Sequence, residues 1–270
     1  MRGAPPERVV TSRDGTPIAV FSSGDGPPVI LVHGASADHT TFRVIGPLLA
    51  QAFRIHAIDR RGRGASGDGP AYAIEREYED VAAVADALAA ESGVAVDVVG
   101  HSYGGRCALG AALLTESIRR VVSYEGAPAP PGAGYQPAGI EARLRDRLAA
   151  GDPDGALGTF LTEVVGMRAK DLAAYRADPI WPVRAAAAGT ILRELEAEQD
   201  PAASLQRLGA VRQPVLQLLG GDSVPVFREA TLALDERLVD GRIVTIAGAR
   251  HAAHHTHPAD VVAAIRSFLA

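Results

Sequence analysis

The hydrophobic pattern of the chain consists mainly of short apolar runs separated by polar and glycine-rich stretches. The runs at residues 28–32 (Pro-Val-Ile-Leu-Val) and 215–219 (Val-Leu-Gln-Leu-Leu) are too short for helices and are typical of buried strands. Longer segments with apolar residues at helical spacing alternate with them. The pattern predicts strands at residues 8–11, 18–22, 29–32, 54–58, 96–99, 118–124, 215–219 and 242–246. It predicts helices at residues 42–49, 78–91, 103–114, 227–238 and 258–269.

Strands that alternate with helices favour an α/β fold with a mostly parallel, doubly wound sheet. Asp14 and Gly15 are turn residues between the first two predicted strands, so these two strands are expected to form a hairpin. The remaining strands are expected to be parallel, because a helical segment separates each from the next.

The alternation stops between residues 125 and 213. Residues 126–134 are rich in proline and glycine, which disfavours regular structure there. Helical patterns follow at residues 140–149, 153–165, 169–176, 182–198 and 202–208. We therefore predict a core of residues 1–126 and 213–270, and a helical cap, or lid, of residues 127–212 inserted into it.

Ser102 is the centre of a Gly-His-Ser-Tyr-Gly stretch at residues 100–104, where a predicted strand passes into a predicted helix. A serine between two glycines at such a turn forms a nucleophile elbow, which exposes the hydroxyl over the edge of the sheet. The turn is so sharp that a Cβ at either glycine would collide with backbone. Ser102 is therefore the predicted nucleophile.

A serine hydroxyl needs a histidine as base, and a carboxylate that orients the histidine, to act as a nucleophile at neutral pH. On an α/β sheet of this kind these groups follow the serine in the order acid, histidine. Asp222 and His251 each follow a predicted strand and are the predicted acid and base. Glu125 also follows a strand and stays open as an alternative acid.

Two backbone N–H groups are predicted to form an oxyanion hole. One belongs to Ala35, in the loop after the strand at residues 29–32, and the other to Tyr103, which follows the serine.

Taken with these residues, the chain resembles the α/β-hydrolase superfamily, and most closely its bacterial serine hydrolases with a helical cap, of esterase or lactonase type. The resemblance extends over nearly the whole chain. It rests on His33-Gly34, the turn at residues 59–66, the serine elbow, Gly-Gly-Asp at residues 220–222 and Gly-Ala-Arg-His at residues 248–251. It implies an α/β-hydrolase fold with the cap over Ser102. In such proteins the acid often stands one residue further from the glycine, and Ser223 occupies that place here.

A substrate pocket is expected under the cap. Its predicted lining residues are His33, Tyr135, Phe160, Met167 and Trp181. For the aromatic residues and the methionine in the cap, packing of the cap onto the core is an equally good interpretation.

Four histidines lie close together at residues 251–257, and His251 and His255 have the i, i+4 spacing that two zinc ligands take on a helix. Pro258 indicates that the helix begins only there, which predicts a loop for the cluster. No acidic residue accompanies the histidines at the spacing of a zinc hydrolase. Neither a metal ion nor another cofactor is therefore expected.

Net charge and cysteine content limit the classes of binding partner and the cellular compartment that are expected. The net charge of −5 gives no reason to expect nucleic acid or an anionic membrane, so a small-molecule substrate is the expected partner and a homodimer stays open. Cys107 is the only cysteine, which excludes an intrachain disulfide and fits a reducing compartment. No signal peptide is visible at residues 1–8, and a cytoplasmic location is expected.

The sequence favours a hydrolase of a small to medium carboxylic ester, lactone or thioester that forms an acyl-enzyme on Ser102. A C–C bond hydrolase or a perhydrolase would use the same three residues. Epoxide and halide hydrolases are disfavoured, because their relatives carry aspartate at the elbow. A receptor that binds a small molecule without turnover is the alternative outside catalysis.

Overall fold

All eight predicted strands are present in the computed structural model, which describes residues 5–134 and 136–270. The strands are β1 (Arg8–Thr11), β2 (Pro17–Ser23), β3 (Pro28–Val32), β4 (Arg54–Ile58), β5 (Val96–His101), β6 (Ile118–Tyr124), β7 (Val215–Gly220) and β8 (Gly241–Ile246). They form one sheet in the order β1-β2-β4-β3-β5-β6-β7-β8. The pairs β1–β2 and β2–β4 are antiparallel and all other neighbours are parallel, which confirms the predicted α/β fold and its hairpin.

Five helices pack against the sheet in the predicted regions. They are α1 (Ile45–Leu49), α2 (Ile74–Ser92), α3 (Tyr103–Ala112), α10 (Pro225–Asp235) and α12 (Pro258–Leu269), the last with the predicted bounds. One apolar cluster joins α2, α3 and α10 to one face of the sheet, and a second joins α1 and α12 to the other. Both faces are therefore covered, which explains why the central strands are apolar without alternation.

The chain between β6 and β7 forms further helices, and residues 127–212 are called the cap segment below. The helices are α4 (Ile140–Ala149), α5 (Pro153–Glu163), α6 (Ala169–Arg176), α7 (Trp181–Ala186), α8 (Gly189–Ala197) and α9 (Leu205–Leu208). The helix expected at residues 182–198 is thus two shorter ones, α7 and α8, interrupted before Gly189. Helices α4, α5, α7 and α8 share an apolar cluster of their own. Leu205 and Leu208 of α9 instead belong to the cluster that joins α2, α3 and α10 to the sheet.

A buried ion cluster joins the cap segment to the sheet. Glu194 of α8 accepts hydrogen bonds from Arg60 (2.6 Å) and Arg63, and both arginines also contact Glu77 of α2. Burial alone would raise the pKa of Glu77, but the two guanidinium groups lower it to about 2. The cluster ties α8 to α2 and to the turn after β4, and removal of one partner would leave a buried charge without compensation.

The described part of the chain contains no helix that is both long and apolar enough to cross a membrane.

Candidate active site

Ser102 stands between β5 and α3 in a strained backbone conformation. Its φ of 56° and ψ of −126° lie in a region that residues with a Cβ rarely occupy. The neighbouring glycines allow this turn: a Cβ on Gly100 would lie 2.3 Å from the carbonyl oxygen of Gly104, and one on Gly104 would lie 2.3 Å from that of Val32. Strain of this kind persists only where the surrounding structure enforces it and is concentrated at functional sites.

His251 contacts a carboxylate, and that carboxylate belongs to Glu125. The imidazole Nδ1 lies 2.5 Å from Oε2 of Glu125, whose side chain is fully buried. Asp222 is exposed, and its backbone N–H donates to the carbonyl oxygen of Ala249. The prediction that Asp222 is the carboxylate partner of His251 is therefore wrong. Glu125, which the sequence left open as an alternative acid, is the partner instead.

Ser223 completes the surroundings of the Glu125 carboxylate. Oε1 of Glu125 accepts hydrogen bonds from the hydroxyl of Ser223 at 2.6 Å and from the N–H of Gly220 at 2.8 Å. Ser223 occupies the position at which the resemblance to serine hydrolases would place the acid. Here that position supplies a donor to an acid that comes from the neighbouring strand.

The loop that carries His251 is held by the residues that precede Ser102 and Glu125. Nε2 of His101 donates to the carbonyl oxygen of His251 at 2.8 Å. The hydroxyl of Tyr124 donates to the carbonyl oxygen of Arg250 and accepts from the N–H of Ala253 at 2.9 Å. Burial, reinforced by the electrostatic effect of the neighbouring His251, holds the pKa of His101 well below its usual value, so His101 is a neutral donor here.

The loop after β3 is locked by His33. Nδ1 of His33 donates to the carbonyl oxygen of Gly34 at 2.9 Å, and Nε2 accepts from the N–H of Arg60 at 3.0 Å. Burial and then the charge of Arg60 lower the pKa of His33 far below its usual value, in agreement with a neutral ring that uses both nitrogens. His33 is fully buried, and it is not on the cavity wall where the sequence analysis had placed it.

The two predicted oxyanion-hole residues are close to the serine. Ala35, Ser102 and Tyr103 line the same recess beside His251. Tyr103 is the first residue of α3, so its N–H has no carbonyl of a preceding turn to bond.

Ser102 and His251 open onto a cavity of about 630 Å³ between the sheet and the cap segment, a volume typical of small-molecule sites. Phe160 and Met167 lie on its wall, whereas Tyr135 lies outside the described residues. Trp181 is buried in the cap segment and is not on the wall.

The contacts of Trp181 favour the packing interpretation for this residue. Its indole N–H donates to a carboxylate oxygen of Asp154, and its ring stands edge-on to Tyr175 at 5.4 Å. The side chain therefore packs α7 against its neighbours in the cap segment.

The histidine cluster differs from the sequence prediction in one respect. Residues 253–256 form a short helix, α11 (Ala253–Thr256), where the sequence predicted a loop. Across residues 5–134 and 136–270, no three His, Cys, Asp or Glu side chains are grouped so that they could hold a metal ion.

Residues 29–265 match the model of the Alpha/beta hydrolase family. An alpha/beta hydrolase from Sphaerobacter thermophilus has a similar structure, with a TM-score of 0.79 and 33% identity over 96% of this chain and 100% of that chain. A pimeloyl-[acyl-carrier protein] methyl ester esterase from Nitrosomonas europaea is 28% identical over 258 residues, which cover 91% of this chain and 96% of the esterase.

A segment of the chain is also similar to a relative that is not named as a hydrolase. The probable oxidoreductase EphD of Mycobacterium tuberculosis is 40% identical over 102 residues, which cover 36% of this chain. The chain spans only 17% of the length of that relative, so the similarity concerns a segment and not the whole protein.

Proposed function

Since the chain belongs to the alpha/beta hydrolase family, we propose that it is a cofactor-free serine hydrolase that cleaves a small to medium carboxylic ester, lactone or thioester. The observation that carries the proposal is the hydrogen bond between His251 and the buried carboxylate of Glu125, with His251 and Ser102 both on the wall of the cavity. Glu125 replaces Asp222 as the proposed acid.

The proposed reaction begins with the hydroxyl of Ser102. Because Nδ1 of His251 donates to Glu125, Nε2 carries the lone pair and accepts the proton as the seryl oxygen attacks the carbonyl carbon. The buried carboxylate of Glu125 stabilises the imidazolium that forms. The backbone N–H groups of Ala35 and Tyr103 stabilise the negative charge on the former carbonyl oxygen.

The acyl-enzyme then forms and is hydrolysed by the same groups. The imidazolium of His251 returns its proton to the leaving alcohol or thiol, and the bond to the acyl carbon breaks. Water enters, loses a proton to His251 and attacks the acyl carbon. His251 then returns this proton to the seryl oxygen as its bond to the acyl carbon breaks, which releases the carboxylic acid and restores the hydroxyl of Ser102.

The proposed substrate class rests on the nucleophile and on the relatives. A serine forms an acyl-enzyme with carboxylic esters, lactones and thioesters. The Nitrosomonas europaea relative is a methyl ester esterase by name, and it aligns with nearly the whole chain. This similarity supports an ester substrate without identifying the acyl group.

The test is labelling of the protein with a fluorophosphonate, together with release of p-nitrophenol from its acetate ester. We expect rapid labelling of the wild type, no labelling of Ser102→Ala, and a fall in kcat on the order of 10⁶-fold for Ser102→Ala, as measured for the nucleophile of subtilisin. His251→Ala should be nearly as slow, and the double variant no slower, because the two residues act as one unit.

Ser92→Ala is the matched control, since Ser92 is exposed at the end of α2 and should keep the wild-type rate. If the wild type neither reacts with the fluorophosphonate nor hydrolyses the ester, the serine hydrolase proposal fails and the receptor alternative is favoured. A Ser102→Ala variant that keeps a tenth of the activity would refute the assigned nucleophile.

A further inference from the structure

A guanidinium group lies on the cavity wall away from the proposed triad. Arg184 of α7 lines the cavity, and its Nη2 donates to the hydroxyl of Thr41 at 2.9 Å. No carboxylate lies within 4 Å of this guanidinium among the residues that the structure describes. The charge of Arg184 is therefore not neutralised by a carboxylate in direct contact, and its hydrogen-bond partner is a neutral hydroxyl.

The other cationic side chains on the wall have partners. Arg43 pairs with Asp178 at 2.8 Å, and Arg168 pairs with Asp171 at 2.6 Å. Arg250 donates to the carbonyl oxygen of Gly166 at 2.8 Å, which holds its side chain against the cap segment. Arg184 and Arg250 therefore both lack a carboxylate partner among the described residues, but Arg250 is bonded to the backbone of the cap segment, whereas Arg184 contacts only a side-chain hydroxyl. Arg184 is thus the candidate for binding an anionic ligand.

The charge of Arg184 acts on the histidines of the same wall. Burial is the main reason why the pKa of His254 lies well below its usual value and that of His255 falls to about 4, and the field of Arg184 contributes to both. The two rings are therefore neutral near pH 7. A neutral imidazole attracts an anion only weakly, so the histidines compete little with Arg184 for an anionic ligand. They and Ser102 border one continuous space.

We propose that Arg184 binds a carboxylate of the substrate, so that the preferred substrates carry a free carboxylate in addition to the bond that is cleaved. This inference rests on the proposed function and specifies its substrate class. A planar guanidinium matches a carboxylate with two parallel hydrogen bonds.

Apolar side chains occupy another part of the same wall. The cap segment contributes four apolar side chains to the wall, those of Leu157, Phe160, Leu161 and Val165. A short methylene chain between the carboxylate and the scissile carbonyl would contact such side chains and bury apolar surface. Half-esters of dicarboxylic acids combine both features.

The experiment is calorimetric titration of Ser102→Ala, which cannot turn the ligand over, with monomethyl glutarate and with dimethyl glutarate. The two ligands differ by one carboxylate. We expect monomethyl glutarate to bind at least tenfold more tightly, and Ser102→Ala/Arg184→Gln to lose roughly 10- to 100-fold in affinity for it, as expected for a hydrogen bond to a charged group. Arg184→Lys should retain part of the preference, because it keeps the charge and loses the planar geometry.

The matched control is Ser102→Ala/Arg145→Gln, since Arg145 is an exposed arginine of the cap segment that pairs with Glu196 away from the cavity. It should keep the preference. Equal affinity for the two ligands, absence of binding of both, or a preference that survives Arg184→Gln would overturn the inference. Fluorophosphonate labelling of the wild type does not involve Arg184, so failure of the carboxylate site and failure of the serine hydrolase proposal give different results.

Discussion

The ends of β6 and β7 lie side by side, each is followed by an acidic residue, and only one of these residues meets the histidine. Glu125 follows β6 directly, is buried, and contacts His251. Asp222 comes two residues after β7 and is exposed. A position at the carboxyl end of a strand therefore brings an acid to the correct edge of the sheet but does not bring it to the base.

The backbone explains the difference. Glu125 has a φ of 47°, so the backbone turns at this residue. Its N–H still donates to the carbonyl oxygen of Leu218, which keeps the turn hydrogen-bonded to β7. After β7, Gly221 donates to Ile246 and Asp222 to Ala249, which holds the second turn against the end of β8. The first turn directs its carboxylate inward and the second exposes its carboxylate to water.

Among changes at the two strand ends, the largest expected effect comes from neutralising the buried acid. Glu125→Gln should lower kcat for p-nitrophenyl acetate by on the order of 10³- to 10⁴-fold, because an amide neither stabilises the imidazolium nor fixes the tautomer of His251. Steady-state kinetics measure this, and a preserved melting temperature would exclude unfolding.

Asp222→Asn is the matched control for this variant, with the same chemical change on the neighbouring strand end. It should alter kcat by less than about threefold, since surface changes away from the site have small effects. If Asp222→Asn were the slower variant, the acid would belong to the end of β7 after all.

A second experiment moves the acid from one strand end to the other. Glu125→Gly removes the carboxylate and suits the positive φ, and Ser223→Asp in the same protein supplies a carboxylate from the position whose hydroxyl now lies 2.6 Å from Glu125. We expect the double variant to be about 10- to 100-fold faster than Glu125→Gly alone, a partial recovery of the loss expected for the missing carboxylate. No recovery, in a double variant that melts like the single one, would mean that the end of β7 cannot orient His251.

A smaller effect than that of the missing carboxylate is expected for the donor at the end of β7. Ser223→Ala removes one of the hydrogen bonds to the Glu125 carboxylate and leaves that of Gly220, so kcat should fall by about three- to tenfold, the loss expected for a single hydrogen bond. KM for a neutral ester should not change, because Ser223 acts through Glu125, and Ser223→Thr should restore the rate. A change in KM alone would instead make Ser223 a substrate contact.

Local sequence signals were reliable where one segment contained all the information. The glycines around Ser102 require the strand-to-helix turn, and the apolar runs require buried strands, so the fold and the elbow could be predicted. The bounds of α12 were predicted because Pro258 can begin a helix but cannot continue one. The split between α7 and α8 was missed, since its apolar pattern continues across the break.

The identity of the carboxylate beside His251 could not be predicted in the same way. Gly-Gly-Asp is a conspicuous motif, and Glu125 carries no comparable signal apart from its place after a strand. Glu125 is recognised by its hydrogen bonds with Gly220, Ser223 and His251. These residues lie about a hundred positions away from it in the sequence. Hydrogen bonds between distant segments depend on how the strand ends turn, and a linear pattern does not encode those turns.

The sequence by itself therefore determined the sheet, its helices and the place of the serine, because hydrophobic periodicity and glycine sterics act within a few residues. Tertiary structure alone decided which carboxylate meets His251, that His33 and Trp181 lie off the cavity wall, and that Arg184 lies on it without a carboxylate partner among the described residues. The physical reason is that burial and charge pairing depend on which side chains share a volume, and chain segments far apart in the sequence together enclose that volume.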